Sequence, residues 1–271
     1  MDLQSMSVTI LFDKYRKLTD RDIATDEFQK KWRVSHILGK LPFLIPEVDN
    51  LELTEDPLEE MRFPSFPPNY PRPPGDARFM PYACSNLTQF YNNKAINLRP
   101  FKASEGARAL INNSISDNVI TISLRTAKFH PVRNSNLDEW YKVYQELKKT
   151  KFKPIVIPDF EDYVGDKKFS KYDWEIYDPA VMDLDLRLAL YEKAVDNLCI
   201  NNGINGLLVF SDCKYHIFKF INNAVPATSE KFHKLNHGIS WGENYKFAAA
   251  TGQRLIWEDD DADIILKTLN L

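Results

Sequence analysis

Apolar positions along this chain follow two rhythms, short unbroken runs and stripes at a helical period, and the two take turns. Val8–Phe12 (VTILF), Val119–Leu124 (VITISL), Pro154–Pro158 (PIVIP), Leu198–Ile200 and Tyr215–Phe220 are runs of the kind that form buried strands. Between them lie amphipathic stretches. Leu137, Trp140, Tyr141, Tyr144 and Leu147 recur at i, i+3, i+4, i+7 and predict one helix, with Asn136 and Glu139 spaced as an N-cap and its capping-box partner. Leu184, Leu188, Tyr191 and Val195 predict a second helix capped by Asp183, and SEGARALINNSI a third that leads into VITISL. Near the start, Thr25 can cap DEFQKKWRVSHILGKL, where Phe28, Trp32, Ser35/His36 and Leu38/Gly39 fall on or near one face and Pro42 limits the helix. With Leu51–Leu53 as a strand, this makes a first β-α-β unit. After Asn201-Asn202-Gly203, a turn, a short helix runs through Phe210. The final stretch, GENYKFAAATGQRLIWEDDDADIILKTL, reads as helix, glycine turn, strand, acidic turn and helix. Strands alternating with helices imply an α/β fold built on Rossmann-like parallel sheets, with ligands at the strands' carboxyl ends.

Composition adds one break. Between Pro57 and Pro81 prolines interleave with Phe and Tyr, which removes amide donors and excludes regular structure. This divides the chain into an N-terminal lobe, residues 1–100, with the Pro/aromatic loop at 57–81, and a regular Rossmann-like lobe, residues 101–271. The loop reads either as a segment packed on the protein's own surface or as a PxxP ligand, through Pro64–Pro67 and Pro68–Pro71. A net charge of −3 offers no basic field, so nucleic acid is not expected as a partner. The three cysteines, Cys84, Cys199 and Cys213, have neither zinc nor disulfide-framework spacing and read as buried thiols in a reducing compartment. The chain opens without signal-peptide character and holds no apolar run long enough for a bilayer, so the expectation is a cytoplasmic protein with no transmembrane segment.

Candidate chemistry gathers in loops that follow strands. The loop after VITISL carries Arg125, Lys128, His130, Arg133, Asn134 and Asn136, with guanidinium groups able to grip phosphate oxygens through paired hydrogen bonds. Asn201, Asn202 and Gly203 close another strand, where glycine permits close approach of a phosphate or sugar hydroxyl. Ser240, Gly242 and Glu243 form a third loop, in which Glu243 can either accept ribose hydroxyls or stabilise a helix start. Asp183-Leu184-Asp185 and Asp259–Asp261 match a metal-holding DxD pattern, yet each opens a helix, where acids are favoured anyway. Metal is therefore not expected, and no Walker loop, GxGxxG, HExxH or GxSxG is present.

In order along the chain, these segments resemble the nucleotide-sugar half of a GT-B glycosyltransferase, over residues 104–271. Ser123-Leu124-Arg125-Thr126-Ala127 stands where the fucosyltransferase-like branch has HxRRxD; one arginine carries over, the His and Asp do not. Asn201-Asn202-Gly203 is similar to the D-S-G turn of the heptosyltransferase-like branch, without its acid. The segment GISWGENYKFAAATGQRLIW resembles a G-x-x-S-x-x-E-x-x-x-x-G-x-P run, with Ser240, Glu243 and Gly252 near the expected places. The resemblance implies a GT-B-like two-lobed arrangement whose N-terminal lobe, on the acceptor side, is short and irregular. It also implies a metal- and cofactor-free enzyme of polysaccharide biosynthesis, moving a sugar from a nucleoside diphosphate-sugar to a glycan or lipid-linked acceptor. Arg125, Arg133, Asn134, Asn201, Asn202, Gly203, Ser240, Gly242 and Glu243 would hold the donor, and Asp13 or Asp159 would act as base. Two alternatives stay open: a non-catalytic nucleotide- or sugar-binding module of the same fold, and an interaction protein that uses the Pro/aromatic segment.

Overall fold

The computed structural model describes residues 6–11, 27–54, 98–248 and 252–271. Asp13, Thr25, Cys84 and the Pro/aromatic loop fall outside them. The chain forms two compact units, Met1–Ala83 and Cys84–Leu271.

In the first unit, β1 (Met6–Leu11) and β2 (Val48–Thr54) pair in parallel, as the β-α-β reading requires, with α1 (Glu27–Arg33) between them. The helix runs on through a π-helical turn, Val34–Leu38, before Pro42 opens a 3₁₀ turn at Leu41–Leu44. Of the expected apolar face, Trp32 is buried while Phe28 and Leu38 are exposed.

The second unit is a five-stranded parallel sheet. Its elements are α2 (Glu105–Ser114), β3 (Val119–Ser123), α3 (Leu137–Lys148), β4 (Lys153–Ile157), α4 (Phe160–Val164), α5 (Asp178–Met182), α6 (Leu184–Lys193) and β5 (Asp196–Ile200). There follow α7 (Gly206–Val209), β6 (Tyr215–Phe218), α8 (Glu230–His237), β7 (Gln253–Leu255) and α9 (Ala262–Thr268). The strand order is β4-β3-β5-β6-β7, so the chain moves outward on one side of β3 and then returns to build the other side. That reversal is the doubly wound arrangement in which ligands enter at the carboxyl ends of the two strands flanking the switch, here β3 and β5.

Every residue of β3 is buried, as a central parallel strand covered on both faces must be. Ile120 and Ile122 join Trp140, Val143 and Leu147 of α3 and Ala262 and Ile265 of α9 in one core. Thr121 and Ser123 face the other way. There Thr121 Oγ1 bonds Asn197 Oδ1 (2.5 Å), and Ser123 Oγ meets the hydroxyl of Tyr191 on α6 (2.7 Å). Cys199 and Cys213 are buried free thiols, and burial pushes Cys213 up to about 12.

Two expectations need correction. No helix spans the described part of 242–250: Tyr245–Ala248 is a single turn, closed by Ala248 N–H on Tyr245 O (2.9 Å), and it buries the stacked rings of Tyr245 and Phe247. The crossover helix of this connection is α8, which buries His233 and keeps Leu235 exposed, so its apolar stripe is faint. At α3, Asn136 does occupy the N-cap, but its side chain makes no capping bond. Its N–H goes to Asp260 Oδ2 (2.7 Å), while Glu139 accepts from Ala262 N–H (3.1 Å) instead of completing a capping box.

Among the described residues, no helix is long and apolar enough to cross a membrane, and no cluster of His, Cys, Asp and Glu could hold a metal ion. Both DxD patterns are used in capping and loop ties. Asp183 caps α6, Asp261 caps α9, and Asp185 accepts from Ser104 N–H (2.8 Å) and its hydroxyl (2.6 Å).

Candidate functional site

Two loops face each other across the switch point, residues 124–136 after β3 and 201–205 after β5. The first is knitted from within. Arg125 is buried, and its guanidinium donates to the carbonyls of Phe129 and His130 (3.1 Å for His130) and to Asn134 Oδ1. Asn134 Nδ2 in turn donates to Ala127 O (2.9 Å), and His130 takes a left-handed conformation before Pro131. Arg125 and Asn134 therefore fold this loop over themselves.

The loop is also tied from outside. Asp260, at 2% exposure, accepts from Asn136 N–H, from Trp140 Nε1 (2.9 Å) and from Lys219 Nζ (3.1 Å). Burial pushes the Asp260 carboxyl up, against the pull of the Asn136 N–H and the Lys219 charge. Burial opposes the charge on Lys219, but Asp260 and Asp259 hold it above its ordinary value. Lys219 also reaches Asn134 O (3.3 Å), and Asn222 Nδ2 reaches Val132 O (3.2 Å).

Arg133 reaches across the switch point, donating from Nη2 to Asn201 O (3.1 Å). Both segments are phosphate-binding candidates on sequence grounds, and the fold brings them together. Lys128 lies to the side, with its Nζ 3.9 Å from Asp166.

The second loop borders a cavity of about 110 Å³ at the carboxyl ends of β5 and β6. Asn201, Asn202 and Asn205 supply its amides, and Phe210, Phe220 and Tyr245 its aromatic wall; no charged residue lines it. Asn201 Nδ2 is held by Phe220 O (2.7 Å), and Asn202 Oδ1 by Gly203 N–H (2.7 Å). Asn205 Nδ2 donates to Ile200 O (2.7 Å), which fixes the amide's orientation. Its Oδ1 is buried without a partner among the described residues.

The 238–243 segment follows helix α8 rather than a strand, so it is not the strand-end loop expected. It still reaches the carboxyl end of the sheet, because Trp257 Nε1 donates to Glu243 O (3.0 Å) and Asn244 Oδ1 accepts from Leu255 N–H (2.6 Å). Ser240 and Glu243 close a tight turn, with Ser240 N–H on Glu243 Oε2 (2.7 Å) and Glu243 N–H on Ser240 O (3.0 Å). Gly242 sits at φ 83°, a conformation that favours glycine. Ser240, Gly242 and Glu243 are not among the cavity's lining residues; Tyr245, which sequence reasoning passed over, is. Behind it, burial and the neighbouring His237 push His233 down to about 4, with the two Nδ1 atoms 2.8 Å apart.

On β4's side, Asp159 caps α4, accepting from Glu161 N–H (3.2 Å). Asp162 is buried and accepts the N–H groups of Lys168 (2.9 Å) and Phe169 (3.1 Å).

One further cation packs beside the end of β3, through the Tyr191 hydroxyl that meets Ser123 Oγ. Arg187 on α6 is 6% exposed and falls on that helix's buried stripe with Leu184, Leu188 and Tyr191. A charged residue at a core position of a helical period is the anomaly that marks it in the sequence.

Comparison with family models, curated proteins and solved structures gives no match to this chain.

Proposed function

We propose that the second unit binds a nucleoside diphosphate-sugar in the crevice between the β3 and β5 loops. The protein, on this reading, is a metal-independent glycosyltransferase that moves the sugar to a glycan or lipid-linked acceptor. The observation that carries the reading is the uncharged cavity beside a topological switch point. At about 110 Å³ it is the size of one ring, well below the several hundred cubic ångströms of a pocket for a whole nucleotide. Amides orient such a ring and aromatic faces cover it, whereas an unpaired phosphate would be costly there. The diphosphate then lies outside the cavity, toward Arg133, Asn201, Asn202 and Gly203. Arg125 and Asn134 contribute by holding the Arg133 loop in place. Ser240, Gly242 and Glu243 shape the segment that carries Tyr245 to the cavity.

The carboxylates proposed as base are Asp13 and Asp159, and the GT-B-like division, with the acceptor side in residues 1–100, belongs to the same proposal. A non-catalytic binding module is the second reading, favoured by the use of Asp159 as a helix cap. Thermal melts with UDP-, GDP- and ADP-sugars test both. A ligand at a hundred times its dissociation constant stabilises by about 2.7 kcal/mol. No shift with any of them sinks both readings. A shift accompanied by sugar transfer or release supports the transferase, and a shift without it supports the module.

A further inference from the structure

Arg187 lies in the α6 helix on the face of the sheet that carries Thr121 and Ser123. Its Nε donates to the Tyr191 hydroxyl (2.9 Å), which in turn meets Ser123 Oγ (2.7 Å) at the last residue of β3. Ser123 pairs with Cys199 of β5, and the Arg187 charge acts on that Cys199 thiol. The guanidinium therefore sits beside the carboxyl ends of β3 and β5, at the switch point itself. The bond to Tyr191 is its one hydrogen bond among the described residues, apart from the contact of its charge with the Tyr191 ring at 5.8 Å. Among those residues it forms no ion pair. Lys219, a half-buried cation of the same region, has two carboxylates.

An arginine nine-tenths buried as a residue and without a counter-charge is unfavourable, because the partial desolvation of the cation is not offset by an anion. Apolar packing alone would be served better by Leu or Met at this position of the stripe. Tyr191 fixes the Nε edge, and the two terminal nitrogens are left for a second acceptor. Their paired N–H groups match the oxygens of a phosphate or carboxylate.

We propose that Arg187 is the anion-binding residue of the switch-point crevice, and that its ligand is a phosphate group. This deepens the donor-binding reading and rests on it for the choice of phosphate over carboxylate: Arg187 meets the diphosphate from the α6 face, opposite the loop that carries Arg133. Arg125, the first candidate for that grip on sequence grounds, has its guanidinium bonded to its own loop.

The test uses the full chain, its Arg187→Met and Arg187→Lys variants, and inorganic pyrophosphate, UDP, GDP and ADP as probes in calorimetric titrations, with ligand-free melting as the second readout. Arg187→Met is expected to melt at or above the wild-type temperature without ligand, since an unpaired buried charge is exchanged for an apolar chain of similar length. Its affinity for pyrophosphate, and for any nucleotide that binds, is expected to fall by about tenfold or more, with Arg187→Lys between the two. A residue with only a structural role gives the reverse: a lower melting temperature and unchanged affinity, which overturns the proposal. If wild type binds a nucleotide and Arg187→Met binds it equally, Arg187 is excluded and the donor-binding reading stands. Pyrophosphate binding that depends on Arg187, with no response to any nucleotide or nucleotide-sugar, keeps the anion site and removes the donor-binding reading. Wild type that binds none of the probes overturns both.

Discussion

The loops after β3 and β5 flank the same switch point but use their polar groups in opposite ways. The β3 loop turns them on itself: Arg125 gathers Phe129, His130 and Asn134, and Asp260 fastens Asn136 from a position more than a hundred residues away. The β5 loop is shorter, leaves Asn205 Oδ1 without a partner, and borders a cavity. A cation at the end of a strand is therefore not by that fact a ligand grip. The same guanidinium geometry that holds a phosphate holds three backbone or amide oxygens equally well. An unmatched buried group does not by itself mark a binding side, since Thr126 Oγ1 in the β3 loop also lacks a partner among the described residues. The β5 side is set apart by the cavity that its unmatched Asn205 Oδ1 borders and by the neighbouring Arg187.

The largest expected effect comes from cutting the external tie of the β3 loop. Asp260→Ala leaves Trp140 Nε1, the Asn136 N–H and part of the Lys219 charge unmatched in a buried site, and is expected to cost about 3 kcal/mol or more in denaturant unfolding. Little change would mean that the loop is not held from β7. Arg125→Met, which removes the internal tie, is expected to cost about 2 kcal/mol by leaving its acceptors unsatisfied. It should also speed amide exchange across 126–135. If this variant is as stable as wild type but loses nucleotide binding, Arg125 is a ligand group after all and the contrast between the loops collapses.

A smaller effect is expected from pH. His233 packs against Phe220 and Trp257, behind the cavity, and is held neutral with its pKa pushed from 6.5 to about 4. The folded state thus binds fewer protons than the unfolded chain between these values. Stability is flat above about pH 6.5 and falls with acid through the window to pH 4, by up to about 1.4 kcal/mol per pH unit from this group. Denaturant curves at pH 7 and pH 5 measure it, and His233→Leu should remove most of the slope; an undiminished slope assigns it elsewhere.

The smallest effect on stability, and a sharp one on binding, is expected at Gly206. It borders the cavity, has an ordinary helical φ of −52°, and a Cβ there meets no atom within 4 Å. Gly206→Ala should leave stability unchanged or raised by up to about 1 kcal/mol, while Gly206→Leu fills space a ligand ring needs and weakens nucleotide-sugar binding. Unchanged affinity in a folded Gly206→Leu protein would remove the cavity from the site.

Local patterns in the sequence carried much of this fold. Val119–Ser123, the Trp140–Tyr144–Leu147 stripe and Asp183 at a helix start each follow from neighbours within a few residues, and each is found as expected. What escaped depends on distant partners or weak periods. The bond from Asn136 to Asp260 joins residues 124 apart, so the capping box, complete on local grounds, gives way to a tertiary contact. α8 has too few buried apolar positions to announce itself, and the 242–250 segment reads as a helix where its described part makes only a turn at Tyr245–Ala248. Strand order, and with it the switch point, is not written in any single segment. Arg187 is legible as a cation on a buried stripe, but it lies within a helix and not in a strand-end loop, where cations that grip phosphate are expected.

The contrast between the two loops is tested most directly by hydrogen–deuterium exchange of the full chain, with and without a saturating nucleotide-sugar. The expected result is that residues 124–136 are already protected in the free protein and change little. Added protection should appear at 201–210 and around Tyr245. Free exchange across 124–136 that slows on ligand addition, with 201–210 unaffected, would contradict the division of roles proposed for the two sides of this crevice.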